Sequence, residues 1–206
     1  DAMRHTSDQV SLRDKVTTNV MGRTDLIGKI AVTTAPLMNK MMGAKPGSLV
    51  RKAIEVTSGV SSERVLPPFA KQRFTTWFNR RPKLKIGKRQ GRVALFPTCL
   101  VEYQAPEVGH DLIKVYERNG IECSLADTTQ CCGAPFLHSG DIESFTKIAE
   151  KNVKALANTV RKGNDIVVPQ PTCGYVLKKD YLDYVGGPDA ELVAAHTFDA
   201  SEYLMK

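Results

Sequence analysis

The chain has 206 residues, 42% hydrophobic and 25% charged, which suits a globular protein with a buried core and excludes a disordered or fibrous one. No apolar run approaches the roughly twenty residues of a membrane-spanning helix, and no signal-peptide pattern is visible at the start. The net charge of +7 conceals a division: residues 1–90 carry 18 Lys and Arg against 6 Asp and Glu, a net +12, while residues 91–206 carry 11 against 16, a net −5.

The first part, residues 1–90, reads as a basic, mostly helical linker or docking segment. Leu12, Val16, Val20 and Met21 recur at helical spacing. Thr24 and Asp25 are placed to cap a second helix through Leu26, Ile27 and Ile30, ended at Pro36. Leu37, Met38, Met41 and Met42 form an apolar cluster beside Lys40 and Lys45, suited to packing on a neighbouring domain or subunit, or to a lipid interface. Arg51–Val60 reads as a short helix closed by Gly59. Between Lys71 and Arg89 stand eight basic residues and no acid, a run that attracts an acidic surface. Phe69, Phe74, Trp77 and Phe78 lie among these charges. They read as ring anchors on the domain surface, and no nucleic-acid motif accompanies them.

From residue 91 the pattern becomes that of an α/β domain, a small parallel sheet with flanking helices. Val93–Phe96 is a short apolar strand ending at Pro97. A helix from about Pro106 buries Val108, Leu112, Val115 and Tyr116 and stops at Gly120. Ile121–Ala126 reads as a second strand. Asp141 to about Arg161 reads as a long helix with Ile142, Phe145, Ile148, Ala149, Val153, Leu156 and Val160 on its buried face, and Asp165–Val168 as a third strand.

Cysteines follow each strand. Cys99 comes after the first, Cys131 and Cys132 after the second, and Cys173 after the third, so that a parallel sheet would carry all of them to the carboxyl edge where such folds bind ligands. Each lies in turn chemistry, Pro97-Thr98-Cys99, Cys131-Cys132-Gly133-Ala134-Pro135 and Pro171-Thr172-Cys173-Gly174. Gly133 lets the backbone turn sharply so that adjacent thiols can face one centre. Thiolates suit zinc or iron–sulfur clusters. Cys123, inside the second strand, reads as packing. His110, His138 and His196 are lesser ligand candidates, and Tyr103 and Tyr175 are placed to shield the site from water. An odd number of cysteines, two of them adjacent, does not make a disulfide framework, so a reducing, cytoplasmic compartment is expected.

The order Cys99, Cys131-Cys132-Gly133, Cys173 resembles the CCG cysteine-rich domain of the heterodisulfide reductase B subunits and related iron–sulfur oxidoreductases. The Phe-x-x-Cys start, the Cys-Cys-Gly-x-Pro centre and the upstream Thr24–Gly28, Ala35–Asn39, Arg64–Pro67 and Phe74–Phe78 segments extend the likeness to the iron–sulfur C subunits of anaerobic glycerol-3-phosphate dehydrogenases. The resemblance implies an iron–sulfur cluster, a 4Fe-4S cluster by expectation, held by Cys99, Cys131, Cys132 and Cys173. It implies an electron-transfer unit of a flavin-linked complex rather than the substrate-binding catalytic subunit. The implied partners are a flavoprotein dehydrogenase subunit, further iron–sulfur modules and quinone, at the inner face of the cytoplasmic membrane and reached through the basic segment; nucleic acid is not expected.

Two departures stand out. Gln170 occupies a position where the wider family has a further cysteine, leaving the cluster type open. The ferredoxin-like module and second CCG repeat of the relatives are missing, and with Asp1 in place of an initiating Met we expect the chain to be part of a longer protein. A structural zinc site or a docking subunit without a cluster are the alternatives.

Overall fold

The computed structural model describes residues 22–58, 60–84, 86–128 and 131–206. The helix expected over Leu12–Met21, and Gly59, lie outside the described residues. Four strands, β1 (Gly91–Leu95), β2 (Ile121–Leu125), β3 (Asp165–Val168) and β4 (Thr197–Asp199), form one parallel sheet in the order β2-β1-β3-β4. Gly91 pairs with Ile121 and Leu95 with Leu125, and on the other side Val93 pairs with Asp165. The order reverses at β1, which has β2 on one side and β3 on the other.

The three expected strands are present, and β4 extends the sheet. Side chains alternate across the pleat, so both faces are buried. Ala94, Phe96, Ile166 and Val168 face one core with Phe145, Leu156 and Tyr181. Val93, Leu95 and Val167 face the other, with Phe74, Phe78, Ile113 and Tyr116. The rings of Phe74 and Phe78, on α4 (Phe74–Arg80), are therefore internal anchors, and core contacts cross the charge boundary near residue 90.

Upstream lie α1 (Thr24–Thr33), α2 (Ala35–Met42) and α3 (Leu49–Ser58). Pro36 does not end α1 so much as begin α2, where its missing N–H costs nothing. Thr24 and Asp25 are not caps: Arg23 holds the N-cap place without a side-chain bond. The Asp25 carboxylate is engaged elsewhere, by groups of the cysteine-rich part, and cannot also serve its own helix.

Past β1 the chain enters a short helix that periodicity did not reveal, α5 (Cys99–Tyr103), with Thr98 as N-cap accepting from Val101 N at 3.4 Å. Then come α6 (Pro106–Arg118), α7 (Ala134–Ser139), the long α8 (Ile142–Arg161), α9 (Pro171–Tyr175), a π turn at Val176–Asp180, α10 (Tyr181–Tyr184), α11 (Gly187–Ala195) and α12 (Ala200–Leu204). Asp141 caps α8 by accepting from Ser144 N at 3.1 Å. Gly120 and Gly163 end α6 and α8 with positive φ, which only glycine adopts freely.

Candidate metal centre at the carboxyl edge of the sheet

Cys99 opens α5, Cys131 and Cys132 precede α7, and Cys173 lies within α9, each just beyond the carboxyl end of β1, β2 or β3. Cys131, Cys132 and Cys173 are buried and Cys99 partly so. Cys132 Sγ lies 3.3 Å from Cys173 Sγ. Cys99 and Cys132 each act on the Cys131 thiol, so the four cysteines are neighbours at this edge. The vicinal pair is turned by Gly133, whose φ of 91° lies in the left-handed region.

These thiols do not titrate alike. Hydrogen bonds from Cys132 and Cys99 hold the Cys131 thiol well below its ordinary value, with smaller help from the Gly133 N–H. The Cys132 thiol is pushed up by its bonds to Cys131 and Cys173 and by burial, and the Cys99 thiol by its bond to Cys131. Cys123 is apart: its Sγ lies 3.6 Å from Ile121 O, and burial pushes its thiol up to about 12, so it stays neutral as packing would require.

The donor set is soft and thiolate-forming, which fits iron–sulfur or zinc. Among the described residues no three His, Cys, Asp or Glu side chains are spaced to enclose one ion. Four sulfurs about 2.3 Å from a shared zinc would lie about 3.8 Å apart, so the 3.3 Å contact is that of packed thiols. A second mark of fit is Thr24 Oγ1, a buried hydroxyl without a hydrogen-bond partner, beside the Cys131 thiol. Gln170, where a further thiol was expected, brings Oε1 to 3.7 Å from Cys173 Sγ, so an amide oxygen stands at the sulfur group.

Around the vicinal pair runs a set of polar bonds that periodicity could not reveal. Cys131 N–H donates to Asp25 Oδ2 at 2.7 Å, and Tyr103 O–H donates to Asp25 Oδ1 at 3.2 Å. Burial raises the Asp25 carboxyl above its usual range. Asn152 Nδ2 donates to Cys131 O at 3.0 Å, and Tyr181 O–H donates to Cys132 O at 2.9 Å. The one available signal was Asn152 itself, a polar residue interrupting an apolar helical stripe.

Tyr103 is buried at the site, but Tyr175 is 62% exposed and shields nothing. His138 is exposed, His196 Nδ1 pairs with Asp165 Oδ1 at 2.7 Å, and His110 stacks on Trp77 at 3.8 Å between ring centroids, so none of the three joins the sulfurs.

A family profile described as a cysteine-rich domain, CCG, matches residues 93–178. Residues 93–178 are similar to CCG cysteine-rich domains. The match takes in all four clustered cysteines. Over 163 residues the chain is 30% identical to the C subunit of anaerobic glycerol-3-phosphate dehydrogenase from Escherichia coli, covering 79% of this chain and 40% of the relative. It is 33% identical over 121 residues to the B subunit of the fumarate reductase (CoM/CoB) from Methanothermobacter marburgensis, 58% of this chain and 22% of that protein. With lactate utilization protein A of Bacillus pumilus it shares 30% over 122 residues, 55% and 48% of the two chains. The chain thus spans less than half the length of these relatives. No solved structure matches it. CCG domains are iron–sulfur domains, and the four-thiol donor set described above is chemically suited to that cofactor. Among the described residues no helix is long and apolar enough to cross a membrane.

Proposed function

We propose that this chain is the cysteine-rich electron-transfer part of a flavin-linked oxidoreductase, with an iron–sulfur cluster held by Cys99, Cys131, Cys132 and Cys173. When bound, such a cluster accepts and returns single electrons. The observation that carries the reading is that Cys99, Cys131, Cys132 and Cys173, from turns up to 74 residues apart, all lie beyond strand ends at one edge of the sheet, with Cys132 and Cys173 in contact at 3.3 Å.

The chain's own residues supply ligation and shelter. Thiols bind metal as thiolates, and the surroundings of Cys131 hold its thiol below the ordinary value. Tyr103 and α1 cover the sulfurs from water, and the Asp25 bond to Cys131 N–H ties that cover to the ligand segment. Gln170 replaces one thiolate by a neutral amide, which favours four-cysteine ligation over the five-cysteine pattern of the wider family.

Carrying over what the relatives' names state makes the chain part of a subunit of a dehydrogenase or reductase, and the family resemblance adds a flavoprotein dehydrogenase and further iron–sulfur modules beside it. In that setting the basic first segment docks on a partner, or on the inner face of the cytoplasmic membrane, and electrons move towards quinone. Leu26, Ile30 and Leu37, each more than half exposed, with Lys29 and Lys40 alongside, are the outward face such docking would use.

The test is anaerobic purification and reconstitution, with iron, sulfide and zinc counts and electron paramagnetic resonance. Iron and sulfide in comparable amounts, with a signal on reduction that Cys132→Ser abolishes, is the expected result. One zinc per chain without sulfide, or no metal at all, would overturn the proposal.

A further inference from the structure

The long helix α8 buries Phe145, Ala149, Val153, Leu156 and Ala157, and in the middle of this apolar face stands Asn152, 1% exposed. A buried amide is costly unless its donors and acceptor are met. Here they are: Nδ2 reaches Cys131 O at 3.0 Å and Tyr181 Oη at 2.9 Å, and Oδ1 accepts from Thr128 Oγ1 at 2.6 Å. Tyr181, fully buried on α10, passes its own proton to Cys132 O at 2.9 Å. Two polar side chains set in a hydrophobic core thus grip the two carbonyls of the vicinal cysteines.

What this grip does follows from the peptide plane. Every described peptide bond is trans, so the N–H of Gly133 points opposite to the Cys132 carbonyl that Tyr181 holds. Amides flanking ligand sulfurs contribute to the potential and stability of a bound cluster, so fixing the planes of the peptides that carry the two cysteines fixes that contribution.

Resting on the iron–sulfur reading above, we propose that Asn152 and Tyr181 are positioning residues for that centre. They fix the Cys131 and Cys132 carbonyls from the core side, and with them the planes of the peptides that carry both ligand cysteines, and so hold the ligand geometry and the reduction potential of the centre. They touch neither metal nor electron donor and act through the peptide they orient.

A matched pair of substitutions separates this role from ordinary stabilisation. Tyr116 is also fully buried and also donates to a backbone carbonyl, Ala200 O at 2.6 Å, but in the other core, on the opposite face of the sheet from Tyr181. Tyr181→Phe and Tyr116→Phe therefore delete the same chemistry in two places. Each variant of the full chain is reconstituted beside the unsubstituted protein. Thermal unfolding, iron and sulfide content, and the midpoint potential by titration followed with electron paramagnetic resonance are then measured. Both variants are expected to lose stability. Only Tyr181→Phe is expected to shift the potential, or to fold yet fail to retain iron where Tyr116→Phe retains it; Asn152→Leu should act in the same way. Unchanged potential and iron in Tyr181→Phe, or equal shifts or equal iron loss in the two tyrosine variants, would overturn the proposal. Should the unsubstituted protein take up no iron and sulfide, the failure is that of the iron–sulfur reading itself.

Discussion

At the scale of single residues, the site depends on where each thiol lies and on what its neighbours do to its charge. Cys131 and Cys123 belong to the same chain and the same residue type, yet one is held ionised by donors and the other is kept neutral by burial. Their roles should part accordingly. Cys123→Ala removes a half-buried sulfur at a cost of about 1 kcal/mol and should leave the iron content unchanged. Cys132→Ala removes the sulfur that joins Cys131 to Cys173 and should lower the iron content to near zero, with both measured after identical reconstitution. An equal loss of iron in the two variants would deny the distinction. The place of the four cysteines beyond the strand ends was readable from turn context. The partners of the carbonyls were not, because Asn152 and Tyr181 lie 21 and 49 residues from what they bind and have no local pattern linking them to it.

At the scale of elements, α1 is the instructive case. Its sequence reads as an ordinary amphipathic helix with two good capping residues, but Asp25 is bonded to the ligand segment and Gly28 lies flat on the Tyr103 ring. A Cβ at position 28 would fall 2.4 Å from Tyr103 Cδ2, and the ring is itself buried, so α1 must lift or the ring must move. Overpacking of this kind costs about 1–3 kcal/mol. Gly28→Ala is therefore expected to speed amide exchange in α1 and at Cys131 while leaving β1 and β3 protected, as followed by hydrogen–deuterium exchange with mass spectrometry. Uniform protection across the chain would mean that the close approach carries no weight. The strand-and-helix succession after residue 91 was legible because its apolar periods are long and are punctuated by Pro and Gly. The five-residue α5 was not, since one turn and a half of helix leaves too few residues to show a period.

For the whole molecule, the charge boundary near residue 90 and the packing of the core follow different lines. The basic run from Lys71 to Arg89 is partly consumed inside the chain: Arg73 pairs with the buried Glu102 at 2.6 Å, Arg81 with Glu117, and Arg89 with Glu122 at 2.9 Å. Phe74 and Phe78 fill the second core, and loss of each large buried ring costs about 3–5 kcal/mol. A domain's whole stability is about 5–15 kcal/mol, so the two rings alone outweigh most of it. Residues 91–206 expressed by themselves are expected to bind a hydrophobic dye and to unfold without a sharp transition, whereas the full chain unfolds cooperatively. A sharp, dye-free transition for the shorter piece would show that the upstream segment is dispensable for the core.

Composition, hydrophobic period and cysteine spacing were enough to determine a parallel α/β fold and to bring the thiol-bearing turns to one edge. Those properties are local: strands and helices announce themselves in a few neighbouring residues, and the topology of parallel strands does the rest. Only the tertiary structure decided that Asp25 leaves its own helix to accept from Cys131 N–H, that an amide oxygen from Gln170 stands beside Cys173, and that Asn152 and Tyr181 hold the vicinal carbonyls. Hydrogen bonds of this kind depend on direction and on distances of about 3 Å between groups remote along the chain, and no one-dimensional pattern encodes them.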